Sequence, residues 1–132
     1  MKSNPLLILF YLVIILLFSA KTAFSQSADL EDEKYLAFAT TMPELEGGLP
    51  ALIKKINYPT VAKKTGIEGK VYAMAYVDEN GKVDKVKIIK GLGAGCDEEV
   101  ERVLSSAKFK PGHHEGKLVK VKTTISVAFK LK

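Results

Sequence analysis

Cysteine is almost missing from this 132-residue chain: Cys96 stands alone, so no internal disulfide can form even in an oxidising compartment. Histidine is limited to the adjacent pair His113 and His114, 17 residues further on. That spacing matches no metal-ligand pattern, and no Asn or Asp stands out to orient a histidine beside a thiol nucleophile. No metal, cofactor or catalytic residue is therefore expected, although a helix dipole would activate Cys96 and an exposed thiol would be able to pair between chains. A strong charge of one sign is lacking too. Of 20 Lys and Arg, Lys2 and Lys21 fall in the first 25 residues, which hold no acid; the remainder carries 18 basic against 15 acidic side chains, net +3. With no basic helix or basic–aromatic stripe, that balance argues against nucleic acid. Proline and glycine are both absent from 26–42, a polar stretch with acids at Asp29, Glu31, Asp32 and Glu33. Read as a short tether, it reaches only about 20–24 Å if flexible.

What is present begins with an unbroken apolar run of thirteen residues, 6–18, preceded by Lys2 and followed by Ser19-Ala20. A bilayer span needs about 17–25 such residues and a signal-peptide core about 7–15. Ala23-Phe24-Ser25 supplies small residues at the positions a signal peptidase reads. Residues 1–25 are expected to be an export signal removed before Gln26, with an uncleaved anchor starting at Pro5 as the alternative.

The strongest periodicity lies near the C-terminus. Over 119–131, Val119, Val121, Ile125, Val127, Phe129 and Leu131 share one parity with Thr123, opposite Lys120, Lys122, Thr124, Ser126 and Lys130. Alternation of this length predicts one long strand with a buried and a wet face. Residues 70–77 alternate as well, Val71, Ala73, Ala75 and Val77 against a stripe of Tyr72, Met74 and Tyr76. Asp78-Glu79-Asn80-Gly81 then turns the chain into a second strand over 83–89. Two short helices precede this hairpin, opening at Pro50 and Pro59, with Leu52, Ile53, Ile56, Val61 and Ala62 inward and Gly66 past the second helix end. A third helix follows Gly91-Leu92-Gly93-Ala94-Gly95-Cys96, with Asp97 as its N-cap and Val100, Val103, Leu104 and Ala107 on its apolar side. The glycine-rich loop has a superficial likeness to a dinucleotide fingerprint, but Cys96 replaces its last glycine and the setting is antiparallel.

The expected fold is α+β: a three-stranded antiparallel sheet with two to three helices on one face, the first strand central and the other two at the edges. The long last strand, with about five residues beyond the end of its neighbour, invites bulging or pairing with a second copy. The Tyr72, Met74 and Tyr76 stripe calls for cover by helices or a partner, and Lys120, Lys122 and Lys130 read as guards of the edge.

The motifs also carry a family resemblance. Pro43-Glu44, Gly47-Gly48 and Tyr58-Pro59-x-x-Ala62-x-x-x-Gly66-x-x-Gly69-x-Val71 come first. Val77-Asp78-x-x-Gly81-x-Val83 and Gly91-x-Gly93-x-Gly95-Cys96-Asp97-Glu98-Glu99 follow. Phe109-x-Pro111-Gly112, Gly116, Val119 and Val127-x-Phe129-x-Leu131 complete the series. In this order they resemble a TonB C-terminal domain over 43–132. The resemblance implies a periplasmic, non-enzymatic module in TonB-dependent transport that grips the TonB box of an outer-membrane receptor by strand addition. On this chain the pairing residues would be Val121, Lys122, Thr123, Thr124, Ile125, Ser126 and Val127, with a homodimer through the same edge as competitor. The apolar run has no histidine and the tether no proline, so the resemblance does not extend to an inner-membrane energising complex. A self-associating structural or adaptor module without an energy-transducing role is the alternative.

Overall fold

The computed structural model describes residues 3–132; the side chains of 18–29, which include Ala23, Phe24 and Ser25 of the expected cleavage motif, lie outside the described residues. The chain divides into two compact units, Met1–Lys34 and Tyr35–Lys132. The first contains helix α1, Pro5–Asp32, which leaves its leading Leu, Ile and Val side chains exposed. Among the described residues no helix is long and apolar enough to cross a membrane.

The second unit takes in 35–42 together with 43–132. Its elements are β1 (Glu44–Leu45), α2 (Gly48–Ile53), α3 (Thr60–Lys64), β2 (Gly69–Val77), β3 (Val83–Lys90), α4 (Cys96–Ser105), β4 (Phe109–Lys110), β5 (Gly112–His114), β6 (Lys117–Val119) and β7 (Val121–Phe129). The main sheet is antiparallel in the order β3-β2-β7, so the first strand of the hairpin is central, as the sequence implies. β1 pairs with β4, and β5 with β6.

Alternation fixes which side of the sheet is dry. Val71, Ala73, Ala75 and Val77 of β2 are buried, with Val127 and Phe129 of β7 on the same face. Against them pack Leu52 of α2, Ala62 of α3 and Val100, Val103 and Leu104 of α4. The small side chains on β2 let the helices approach closely. Tyr58 locks the link between α2 and α3: its ring meets that of Phe129 edge-on at 5.4 Å, and its hydroxyl donates to the Ile67 carbonyl. Glu99 ties α4 to the same link. It accepts the Asn57 N–H at 2.8 Å and the Arg102 guanidinium at 2.6 Å, while Arg102 donates to the Lys55 carbonyl. The Arg102 hydrogen bonds hold the Glu99 carboxyl below the usual range despite its burial.

Several expectations need correction. Residues 119–131 are not one strand. The chain breaks at Lys120; β6 turns off to pair with β5, and the nine residues of β7 match the nine of β2 pair for pair. Changing partner satisfies backbone groups that a longer strand would leave without a neighbour. The overhang that suggested a swapped or edge-paired dimer is gone. Val61 and Ile53 point outward, at 61% and 44% exposure, because helices of five and six residues have room for only one buried position each here, Ala62 and Leu52. Asp97 does not cap α4; Gly95 occupies that position. Helix α2 begins two residues before Pro50, and Pro59 sits just outside α3.

The α3 end and the β-turn behave as their glycines predict. Gly66 at φ +69° closes a Schellman motif, with Ile67 N–H on the Ala62 carbonyl and Gly66 N–H on that of Lys63. In the hairpin, the Asp78 carboxylate accepts the N–H groups of Asn80 and Lys82, both at 2.9 Å. Gly81 takes the left-handed position, φ +81°, and a Cβ there would lie 1.9 Å from the Phe109 carbonyl oxygen. Strain and backbone clash combine at one residue, so Gly81→Ala is expected to lower the unfolding free energy by at least about 2 kcal/mol. Denaturant titration measures this directly; an unchanged midpoint would show that the β4 backbone yields freely.

Candidate functional site

The two flanks of β7 are unequal. One runs along β2 from Val77↔Val121 to Gly69↔Phe129 without a register shift. On the other flank, Leu36 forms a single parallel bridge opposite Val121: its N–H donates to the Lys120 carbonyl at 2.9 Å, and its carbonyl accepts the Lys122 N–H at 3.0 Å. Backbone groups alternate along a strand, so these two bonds fix the parity of the whole edge. Even-numbered residues aim N–H and C=O away from β2; Val121, Thr123, Ile125, Val127 and Phe129 aim theirs toward it. Beyond Leu36, the outward groups of Thr124, Ser126 and Ala128 have no backbone partner among the described residues. They form a short open ladder.

Both ends of this ladder are built. At the first, Tyr35 stacks edge-on with Tyr76 at 5.0 Å and donates its hydroxyl to Asp84 Oδ2 at 2.5 Å. The Lys120 ammonium lies 5.6 Å from the Tyr35 ring centre. At the second, the Leu131 N–H donates to Glu68 Oε1 at 2.6 Å. A shallow depression of about 350 Å³ lies there, lined by Glu68, Lys70, Ala128, Lys130 and Leu131 among others. A larger depression, about 540 Å³ between the β2–β3 turn and the end of α4, shares no residue with β7.

All seven residues singled out from the sequence lie on β7, and the strand divides them. Lys122, Thr124 and Ser126 present outward backbone; Val121, Thr123, Ile125 and Val127 are committed to β2. Lys122 already donates to Leu36. Ala128 extends the open ladder by one rung and shares the parity of Thr124 and Ser126, which was the signal for it. Leu36 was hidden, since nothing in a polar stretch marks one leucine as a strand partner. The Tyr72, Met74 and Tyr76 stripe is covered differently from expectation. Tyr35 and the Lys85 ammonium, 4.3 Å from the ring centre, bury Tyr76, whereas Tyr72 and Met74 stay half-buried.

The other candidate chemistries lose their premises. Cys96 is fully buried, and burial pushes its thiol up, with the negative charges of Asp97 and Glu98 adding to the effect. The activation expected from the helix dipole is overridden, and the thiol is inaccessible to another chain. In the glycine-rich loop, the Asp97 carboxylate accepts the Leu92 N–H at 2.8 Å and the Gly93 N–H at 3.3 Å. A carboxylate of the protein thus sits where a phosphate would need those donors. His113 and His114 lie on β5, where the His113 backbone exchanges hydrogen bonds with Thr41 and His114 Nδ1 faces Thr40. Among the described residues no group of His, Cys, Asp and Glu is placed to hold a metal ion.

By architecture this is a small α+β domain with helices on one face of a three-stranded antiparallel sheet whose last strand is partly open. The family described as Gram-negative bacterial TonB protein C-terminal matches residues 54–131. The chain belongs to the TonB C-terminal domain family. It is 28% identical over 75 residues to Protein TonB of Pseudomonas aeruginosa, a match covering 56% of this chain and 22% of that protein, so the chain spans about a fifth of its relative's length. Among solved structures it resembles the Helicobacter pylori TonB C-terminal domain, with 26% identity, TM-score 0.50, and coverage of 63% of this chain and 88% of that one. The Pseudomonas aeruginosa TonB C-terminal domain matches with 27% identity and TM-score 0.48, over 58% and 79% of the two chains.

The parity of β7 makes a paired prediction. Ile125→Pro removes a ladder bond to β2 and should destabilise the domain by about 3 kcal/mol or more. Thr124→Pro, losing only an outward donor, should leave the unfolding free energy within about 1 kcal/mol of the parent. Equal losses in denaturant titrations would show that the parity is misassigned.

Proposed function

We propose that this domain is a TonB-type interaction module of TonB-dependent transport that works on the periplasmic side of the envelope. It takes the TonB box of an outer-membrane receptor as an added strand along the open flank of β7. The observation that carries this reading is the ladder of outward N–H and C=O groups at Thr124, Ser126 and Ala128 on an otherwise paired strand. Such a ladder gives sequence-tolerant affinity, and the half-buried side chains beside it, Thr123, Ile125 and Ser126, add selectivity. Family membership supports the same reading. The domain acts by binding rather than by turnover.

Titration of the protein with synthetic peptides copying the N-terminal segments of TonB-dependent receptors tests this. Binding is expected for peptides that carry a TonB box, with Thr124→Pro and Ser126→Pro each lowering affinity at least about tenfold while the domain stays folded. Unchanged affinity in both variants removes the reading. A concentration-dependent dimer that ignores added peptide and is lost in the same variants would favour the self-associating module instead.

A further inference from the structure

We infer that Leu36 is a register stop for the strand-addition site, closing one end of the open flank so that a visiting segment pairs over only about five residues. The inference rests on the proposed binding mode and goes further by assigning the visitor's position and length. Leu36 uses the outward carbonyl of Lys120 and the outward N–H of Lys122, the two groups with which a longer visitor would continue its ladder. Tyr35–Leu36 and a visitor would therefore lie end to end beside β7.

The stop is anchored on both sides. Before it, Tyr35 is held by the Tyr76 ring at 5.0 Å and by Asp84 at 2.5 Å. After it, Ala39 is buried, and Thr41 exchanges two backbone bonds with His113, at 2.8 and 2.9 Å. A visitor that displaced Leu36 would have to break bonds within the domain to gain bonds of the same kind. At the far end β7 stops at Phe129, where its pairing with β2 ends, and the Leu131 N–H beyond it is held on the β2 side by Glu68 Oε1. What remains is the span 124–128, about 13 Å at about 3.3 Å per residue. Side chains of the visitor on one parity continue the core face beside Ile125 and Val127. Those of the other parity stand beside Thr124, Ser126 and Ala128.

The test uses length variants, from four to nine residues, of the tightest-binding receptor peptide, titrated into the protein with the Leu36 amide followed by NMR hydrogen exchange. Affinity should rise with length to about five paired residues and then level off, with the Leu36 amide still protected at saturation. In Leu36→Pro, which deletes the donor to Lys120, longer peptides should gain a further three- to tenfold or so. Tyr35→Ala, which weakens the anchor without touching the ladder, should give the same gain in smaller measure and guards against a misfolded proline variant. Loss of Leu36 protection on peptide binding overturns the inference while sparing the binding mode, as does a plateau that stays put in both variants. Failure of every peptide to bind overturns both.

Discussion

The antiparallel ladder between β2 and β7 is the constraint on which the rest depends. Nine consecutive pairs commit the odd-numbered backbone groups of β7 to the domain and, by the geometry of a strand, turn the even-numbered groups away from it. The same pairing sends Val121, Val127 and Phe129 to the dry side. One set of hydrogen bonds therefore builds the core and defines the open flank. A shift of one residue would exchange both, so the hydrophobic pattern that stabilises the fold also sets the parity of the site.

The remaining elements keep that flank clear. Helices α2, α3 and α4 contribute their buried residues to a single face, held by Tyr58 against Phe129 and by Glu99 on Asn57 and Arg102. The chain after α4 leaves by β4, β5 and β6, each paired away from the main sheet. The start of the domain returns to β7 once, at Leu36, and then departs to meet His113. The result is an open edge of limited length rather than a full strand of unpaired backbone. A short edge with polar Thr124 and Ser126 is also less prone to indiscriminate sheet extension.

Much of this was legible because it rests on period-two patterning and turn chemistry. The order of the main helices and strands and the buried parity of β7 follow from alternating Val, Ala and Ile and from Asp78-Glu79-Asn80-Gly81. The central place of β2 follows from the right-handed crossover through α4; the short strands β1, β4, β5 and β6 carry no such pattern. The break at Lys120 was not legible, since Val119 and Val121 keep the same parity while the chain changes partner between them. Asp97 looked like a helix cap because capping and loop-tying use the same carboxylate, and only the positions of Leu92 and Gly93 separate the two. Leu36 and Tyr35 lie far in sequence from Lys120, Lys122, Tyr76 and Asp84, the partners that hold them. Cys96 misled in a different way: its place at a helix start implies activation, but burial and two neighbouring acids outweigh the dipole.

Hydrogen exchange of individual β7 amides in the free protein probes the central claim most directly. The account requires slow exchange at Thr123, Ile125 and Val127 and fast exchange at Thr124, Ser126 and Ala128, independent of protein concentration. Slow exchange at all six in dilute solution would mean that the protein's own chain covers the flank, and would contradict it.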